Sequence, residues 1–228
     1  MKILITSGGT NESIDQVRAI TNHSTGQLGK IIAETFLEAN FPVTLVTTKH
    51  AVKPQPHPLL HIVEISNVES LQSSLEPLVK EHDVLIHSMA VSDYTPVYMT
   101  GLDEVEQTNK IRDLLTKSNT ETKISSQNDY QVLFLKKTPK VISKVKEWNP
   151  AIQLIGFKLL VDVSKEELFA VTRESLAKNK ADYIVANDLR DINSEGHKAF
   201  LVDKETEQLA STKEEIAQLL LKLVLEKR

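Results

Sequence analysis

Between Ser7 and Lys30 the chain reads SGGTNESIDQVRAITNHSTGQLGK, a stretch rich in residues suited to holding an anion. Of seven glycines in 228 residues, four fall here: Gly8, Gly9, Gly26 and Gly29. Glycine permits positive φ and close approach of the main chain to a ligand. Backbone N–H groups that open a helix attract negative charge. SGGT therefore reads as a phosphate-holding turn, with Gly8, Gly9 and Thr10 as nucleotide-binding candidates. The stretch supplies neither G-x-G-x-x-G nor G-x-x-x-x-G-K-[ST], so two ordinary tight turns stay open as an alternative. Between the glycine pairs lie Asp15, Arg18, Asn22, His23, Ser24 and Thr25. Arg18 suits a two-pronged grip on phosphate or carboxylate, or an ordinary pair with Asp15. Asn22 offers an amide donor to an oxygen that develops negative charge, or a cap for the next helix.

These residues need a scaffold, and the apolar pattern outlines one. KILIT (2–6) reads as a buried strand, 27–39 as a helix and VTLVTT (43–48) as a strand. After a loop marked by Pro54, Pro56 and Pro58, HIVEI (61–65) is a strand, and Ser66-x-x-Glu69 reads as a capping box for a helix to Glu81. DVLIHSMAV (83–91) reads as a strand. From Asp93 to Asp129 the chain is polar, with only a modest helical stripe around Val105, Ile111 and Leu115, as in a functional flap, an interaction arm or disorder. Strand character resumes at VLFLK (132–136), and Thr138-Pro139 is the expected start of a helix to Trp148. IQLIGFK (152–158) and DYIVAND (182–188) read as strands around a helix capped at Ser164, which runs to about Lys180. A hairpin over 198–210 and a final helix capped at Thr212 complete the pattern.

Strand–helix alternation implies a Rossmann-like α/β fold, a three-layer sandwich around a mostly parallel central sheet. The expected organisation is one domain over 1–228, with 94–129 as a flap or dimerisation insertion and a C-terminal hairpin. Ligands of such sheets bind beyond the carboxyl ends of the strands. SGGT, MAVSDY, FK and AND each follow or end a strand, so they are expected to meet at one edge.

Net charge is −4, which argues against a nucleic-acid backbone as partner. Without cysteine there is no disulfide framework, thiolate nucleophile or thiolate metal site. No run approaches membrane length and MKILITSGG is too short for a signal peptide, so a cytoplasmic protein without membrane contact is expected. The seven histidines show no ligand spacing, so no metal ligands are assigned; His87 and Trp148 read as packing residues.

ITSGGTNESIDQVRAITNHSTGQLG resembles the N-terminal signature of phosphopantothenate–cysteine ligase, and MAVSDY, GFK and VAND follow in that family's order. The likeness is to the stand-alone form, because no flavin-dependent decarboxylase segment precedes Met1. The resemblance implies a two-step ligation. A nucleoside triphosphate activates the carboxylate of 4′-phosphopantothenate as an acyl-nucleotide, and L-cysteine then displaces the nucleotide on the route to coenzyme A. It places Asn22 at the acyl-nucleotide, with Arg18 beside it. Nucleotide contacts fall on the Gly8–Thr10 turn, Ser24 and Gly26, then on His87, Ser88, Met89, Ala90 and Asp93. They continue through Pro139, Lys140, Val141 and Ile142 to Phe157. A flap lysine is implied as well: Lys123-Ile124-Ser125-Ser126 is nearer the eukaryotic K-I-x-S-S than the bacterial K-I-K-K, and Lys110-Ile111-Arg112 competes. Lys158 is also eukaryote-like, while Lys178 and Lys180 lie near where family lysines reach the nucleotide. CTP is taken as co-substrate over ATP, with Mg²⁺. A homodimer with composite sites and association with a separate decarboxylase are the implied partnerships.

Two other readings remain open from the sequence. A dinucleotide-dependent reductase suits the layout but lacks G-x-G-x-x-G and any Tyr-x-x-x-Lys pair. A non-catalytic nucleotide-binding protein would keep the fold without turnover.

Overall fold

ILITS is apolar on both sides of its pleat, as a strand covered on both faces must be. In the computed structural model, which describes residues 1–192 and 196–226, β1 (Ile3–Ser7) is buried throughout. A small hairpin of β2 (Asn11–Ser13) and β3 (Ala19–Thr21) follows, then α1 (Gln27–Glu38) and β4 (Val43–Thr48). Next come β5 (Leu60–Ile65), α2 (Val68–Glu81), β6 (Val84–His87), β7 (Tyr94–Gly101) and α3 (Leu102–Gln107). A 3₁₀ turn over Ile111–Thr116 leads to β8 (Gln131–Lys137), α4 (Val141–Trp148) and β9 (Gln153–Leu160). The chain continues through α5 (Lys165–Asn179), β10 (Tyr183–Asp188), β11 (Ala199–Val202), β12 (Glu207–Ala210) and α6 (Lys213–Glu226).

Eight strands form one sheet in the order β12-β11-β10-β9-β6-β1-β4-β5. The six from β5 to β10 are parallel, and the expected C-terminal hairpin β11–β12 adds two antiparallel strands at one edge. Ile3, Ile5 and Ile86 face α1 and α6; Leu4, Leu85 and Leu154 face α2, α4 and α5. The three-layer α/β expectation is met. Chain order reverses between β1 and β6, which is where doubly wound sheets open a crevice beyond their strands.

Several local expectations are corrected. The strand expected over 83–91 ends at His87, because the chain then turns so that Ala90 bridges Gly9. α2 is capped by Asn67, whose side chain accepts the Ser70 N–H at 2.9 Å, with Ser70 returning the bond; Ser66-x-x-Glu69 is one residue out of register. α4 starts at Val141 without a side-chain cap, and the Thr138 hydroxyl donates to the Ser92 carbonyl instead. The Asp93–Asp129 region holds an eight-residue strand, β7, which pairs antiparallel with β8 in a separate ribbon. Pro96 and a bulge between Pro96 and Tyr98 break its alternation, and most of its residues are half-buried on both faces. That is why no period-2 signal is visible in the sequence.

Candidate active site

The glycine-rich turn sits at the carboxyl end of β1, directly beside the point of reversal. Gly8 has φ 83°, a conformation that disfavours side chains. A Cβ on Gly9 would lie 2.9 Å from the Asn22 carbonyl oxygen, so the Asn22 main chain rests against this turn. Gly26, with φ 82°, occupies the N-cap position of α1 and gives no side-chain cap. The Gln27 N–H donates to the Thr25 hydroxyl at 3.3 Å, and the N-cap residue itself makes no side-chain bond to the first turn. A Cβ on Gly29 would come within 2.2 Å of Ser7 Oγ and 3.1 Å of Ser88 Oγ, so α1 opens against the ends of both β1 and β6. An uncapped helix N-terminus set against two strand ends favours an anion.

Neighbouring loops are stitched to this turn. Thr10 N–H donates to Ala90 O at 3.0 Å, and Ala90 N–H donates to Gly8 O at 2.9 Å. The Thr10 and Ser92 hydroxyls are 3.0 Å apart, while Ser92 N–H donates to Thr10 Oγ1 at 2.9 Å. Thr138 then ties the α4 entry to Ser92 and Asp93, through its hydroxyl at 2.6 Å and its N–H at 2.9 Å. Lys140 Nζ lies 3.2 Å from the Asp93 carboxylate, both well exposed. The residues foreseen on three separate motifs are thereby brought together. Met89 and Val141 turn their side chains into the core, so their main chains are what they can offer. His87 is buried, bonded to Thr6 Oγ1 at 2.8 Å, and held down to about 4 by burial and by the charge of Lys140. It is neutral at pH 7 and fixes the β6 end. Phe157 is half-buried on β9, facing the α1 layer, and Lys158 points to the opposite face.

Arg18 is already occupied, as the plainer of its two sequence readings had it. Its Nε and Nη2 donate to Asp15 Oδ2 at 3.0 and 2.6 Å, and Nη2 also donates to Ile124 O at 2.8 Å. The Arg18 guanidinium holds the Asp15 carboxyl well below the usual carboxylate range. Asn22 does not cap α1, and its carboxamide makes no hydrogen bond among the described residues. Lys123 is exposed beside Ile124, whereas Lys110 begins the distant 3₁₀ turn. Lys178 and Lys180 are not brought to the cluster. They lie at the C-terminal end of α5, which leads into the amino end of β10, the opposite edge of the sheet. Sequence reasoning missed the tying bonds of Thr6, Ser92 and Thr138, because each joins residues far apart in the chain.

Together these features define a doubly wound α/β protein with a crevice at its switch point whose helix N-terminus suits an anion. The chain belongs to the DNA/pantothenate metabolism flavoprotein C-terminal domain family, whose model matches residues 1–112 and 107–227. It is 33% identical over 206 residues to the coenzyme A biosynthesis bifunctional protein CoaBC of Thermococcus kodakarensis, covering 90% of this chain and 45% of that protein. The chain thus spans about half the length of the curated relatives it matches. The crystal structure of the DNA/pantothenate metabolism flavoprotein from Streptococcus pneumoniae superposes with a TM-score of 0.96 at 58% identity, covering 100% of both chains. A Cab2 mutant, H337A, in complex with phosphopantothenate-cysteine shares the fold, with a TM-score of 0.70 at 18% identity over 99% of this chain and 88% of that one.

Proposed function

We propose that this chain joins 4′-phosphopantothenate to L-cysteine through an acyl-nucleotide, on the route to coenzyme A. The observation that carries the reading is Asn22: its main-chain oxygen lies against Gly9, ahead of the α1 N-terminus, and its carboxamide makes no hydrogen bond among the described residues. The CoaBC relatives are named for coenzyme A biosynthesis, and the Cab2 structure of the same fold holds phosphopantothenate-cysteine. In the first step a carboxylate oxygen of phosphopantothenate attacks the α-phosphorus of the nucleotide, and pyrophosphate leaves. In the second, the unprotonated cysteine amine attacks the acyl carbon. The nucleotide monophosphate departs with the former carboxylate oxygen, and the excess proton on nitrogen passes to solvent. Both steps bring negative groups together, so donors already in place lower the barrier. In this reading the α1 N-terminus and the Gly9 amide face phosphate oxygens, and Asn22 donates to the acyl oxygen. Lys123 closes over the phosphates, and Ser88–Asp93 and Pro139–Ile142 cradle the nucleotide.

Mg²⁺ fits as an ion delivered with the triphosphate. Among the described residues no group of 3 or more ligating side chains could hold a metal alone, yet Mg²⁺ needs as little as one carboxylate besides phosphate oxygens. Asp93 would supply that carboxylate, and the ion would neutralise phosphate charge. CTP is the proposed nucleotide. The β7–β8 ribbon is proposed as flap or dimer contact, and a decarboxylase as partner, since the relatives are bifunctional and about twice as long. Among the described residues no helix is long and apolar enough to cross a membrane; a cytoplasmic location is proposed. The test is pyrophosphate release with each of four nucleoside triphosphates, with and without cysteine. Release is expected to require phosphopantothenate, to be fastest with CTP, and to yield amide once cysteine is added. No release with any nucleotide, or tight binding of a reduced nicotinamide cofactor, would overturn the reading.

A further inference from the structure

Asp15 makes more bonds than a surface turn needs. Its Oδ1 accepts the Val17 and Arg18 N–H groups at 2.8 and 2.7 Å. Its Oδ2 accepts Arg18 Nε and Nη2 and, from 109 residues away, the Ile124 N–H at 3.1 Å. Arg18 Nη2 returns to Ile124 O at 2.8 Å, and Gln16 N–H donates to Thr122 O at 3.1 Å. The Asp15 side chain is 0% exposed, and Ile124 is buried beneath the hairpin. Main chain on both sides of Lys123 is therefore tied to the β2–β3 hairpin, whose next residue after β3 is Asn22. The Lys123 side chain itself is exposed and bonds to nothing among the described residues.

We infer that Asp15 is a positioning residue: it orders Thr122–Ile124 against the turn of the β2–β3 hairpin and so delivers Lys123 to the phosphates. The inference rests on the ligase reading and adds a residue through which the insertion and the amino-terminal loop act as one unit. Asn at position 15 keeps the shape, but one oxygen becomes an NH₂ donor, which cannot accept from Ile124 and Arg18 together. The segment then loosens, and misplacement by about 1 Å costs on the order of 10²-fold in rate.

The experiment compares Asp15→Asn, Lys123→Ala and the double variant with the parent chain. Two quantities are read: amide hydrogen exchange at Ile124, and pyrophosphate release at varied substrate concentration. Asp15→Asn is expected to speed Ile124 exchange about tenfold or more and to lower kcat, leaving KM for cysteine unchanged. Because Asp15 acts through Lys123, the double variant should be no slower than Lys123→Ala alone. Single losses that multiply in the double variant, or unchanged Ile124 exchange, would overturn the inference. Should Asp15→Asn not fold, Asp15→Glu, which keeps the charge but displaces it, takes its place in the same cycle. If the parent releases no pyrophosphate the ligase reading fails, while the exchange comparison still decides whether Asp15 orders the segment.

Discussion

Asn22 stands where β3 has ended and α1 has not begun, so neither element claims its side chain. Its main-chain oxygen accepts the Ser24 N–H at 2.9 Å, which fixes the turn without using the carboxamide. Asn22→Ala is expected to keep nucleotide affinity, measured by calorimetry, and to lower amide formation by on the order of 10²–10³-fold. Unchanged turnover would remove Asn22 from the chemistry. His87 shows the opposite kind of residue, a polar side chain enclosed for support. Its folded pKa of about 4 lies below its ordinary 6.5, so the unfolded chain takes up a proton that the folded chain refuses. Stability is therefore expected to fall as pH drops from 6.5 towards 4, with His82 and His197, also held down by burial, acting in the same sense. Urea midpoints across that window should fall less steeply in His87→Gln; an unchanged slope would show that His87 does not contribute.

At the scale of elements, one carboxylate joins several parts of the insertion. Glu104 accepts from the Tyr98 hydroxyl at 3.0 Å and from Thr100, and meets Lys117 at 2.5 Å, tying α3 and the 3₁₀ turn to β7. The Lys117 ammonium, with the Thr100 and Tyr98 hydroxyls, holds Glu104 down at about 2, below its ordinary 4.5. A depressed carboxyl stabilises fully above 4.5 and loses that contribution as pH falls towards 2. Pepsin cleavage within 94–131 is expected to accelerate as pH drops below 4.5, whereas Glu104→Gln should show the loosened rate across the range. Equal pH dependence in both proteins would contradict this role. The insertion also marks where sequence reading stops. β1, β4 and β10 were legible because strands buried on both faces are apolar runs bounded by turns. β8 was legible as VLFLK, but β7 has no fully buried face and a bulge at Pro96, so nothing in its residue pattern separates it from a loop. The Asp15–Ile124 contact was invisible for another reason: it joins loops distant in sequence, and only the folded chain sets their distance. Lys178 and Lys180 lie away from the crevice because a helix of 15 residues carries its two ends to opposite edges of the sheet.

For the molecule as a whole, the sheet order decides where chemistry can occur. Reversal between β1 and β6 places the glycine turn, the α1 N-terminus, the 87–93 loop and the α4 entry at one edge. Asn22 follows the β2–β3 hairpin, and Asp15 in the turn of that hairpin accepts the Ile124 N–H next to Lys123. Residues from three separate stretches, 7–30, 87–93 and 138–142, thus converge on one crevice. The most direct measurement is a crystal structure of the chain with phosphopantothenate and a non-hydrolysable CTP analogue. The α-phosphate should lie within hydrogen-bond distance of the Gly9 amide or the first turn of α1, with the pantothenate carboxylate facing Asn22. A nucleotide seated at the amino edge of the sheet, with that crevice free of ligand, would contradict the account.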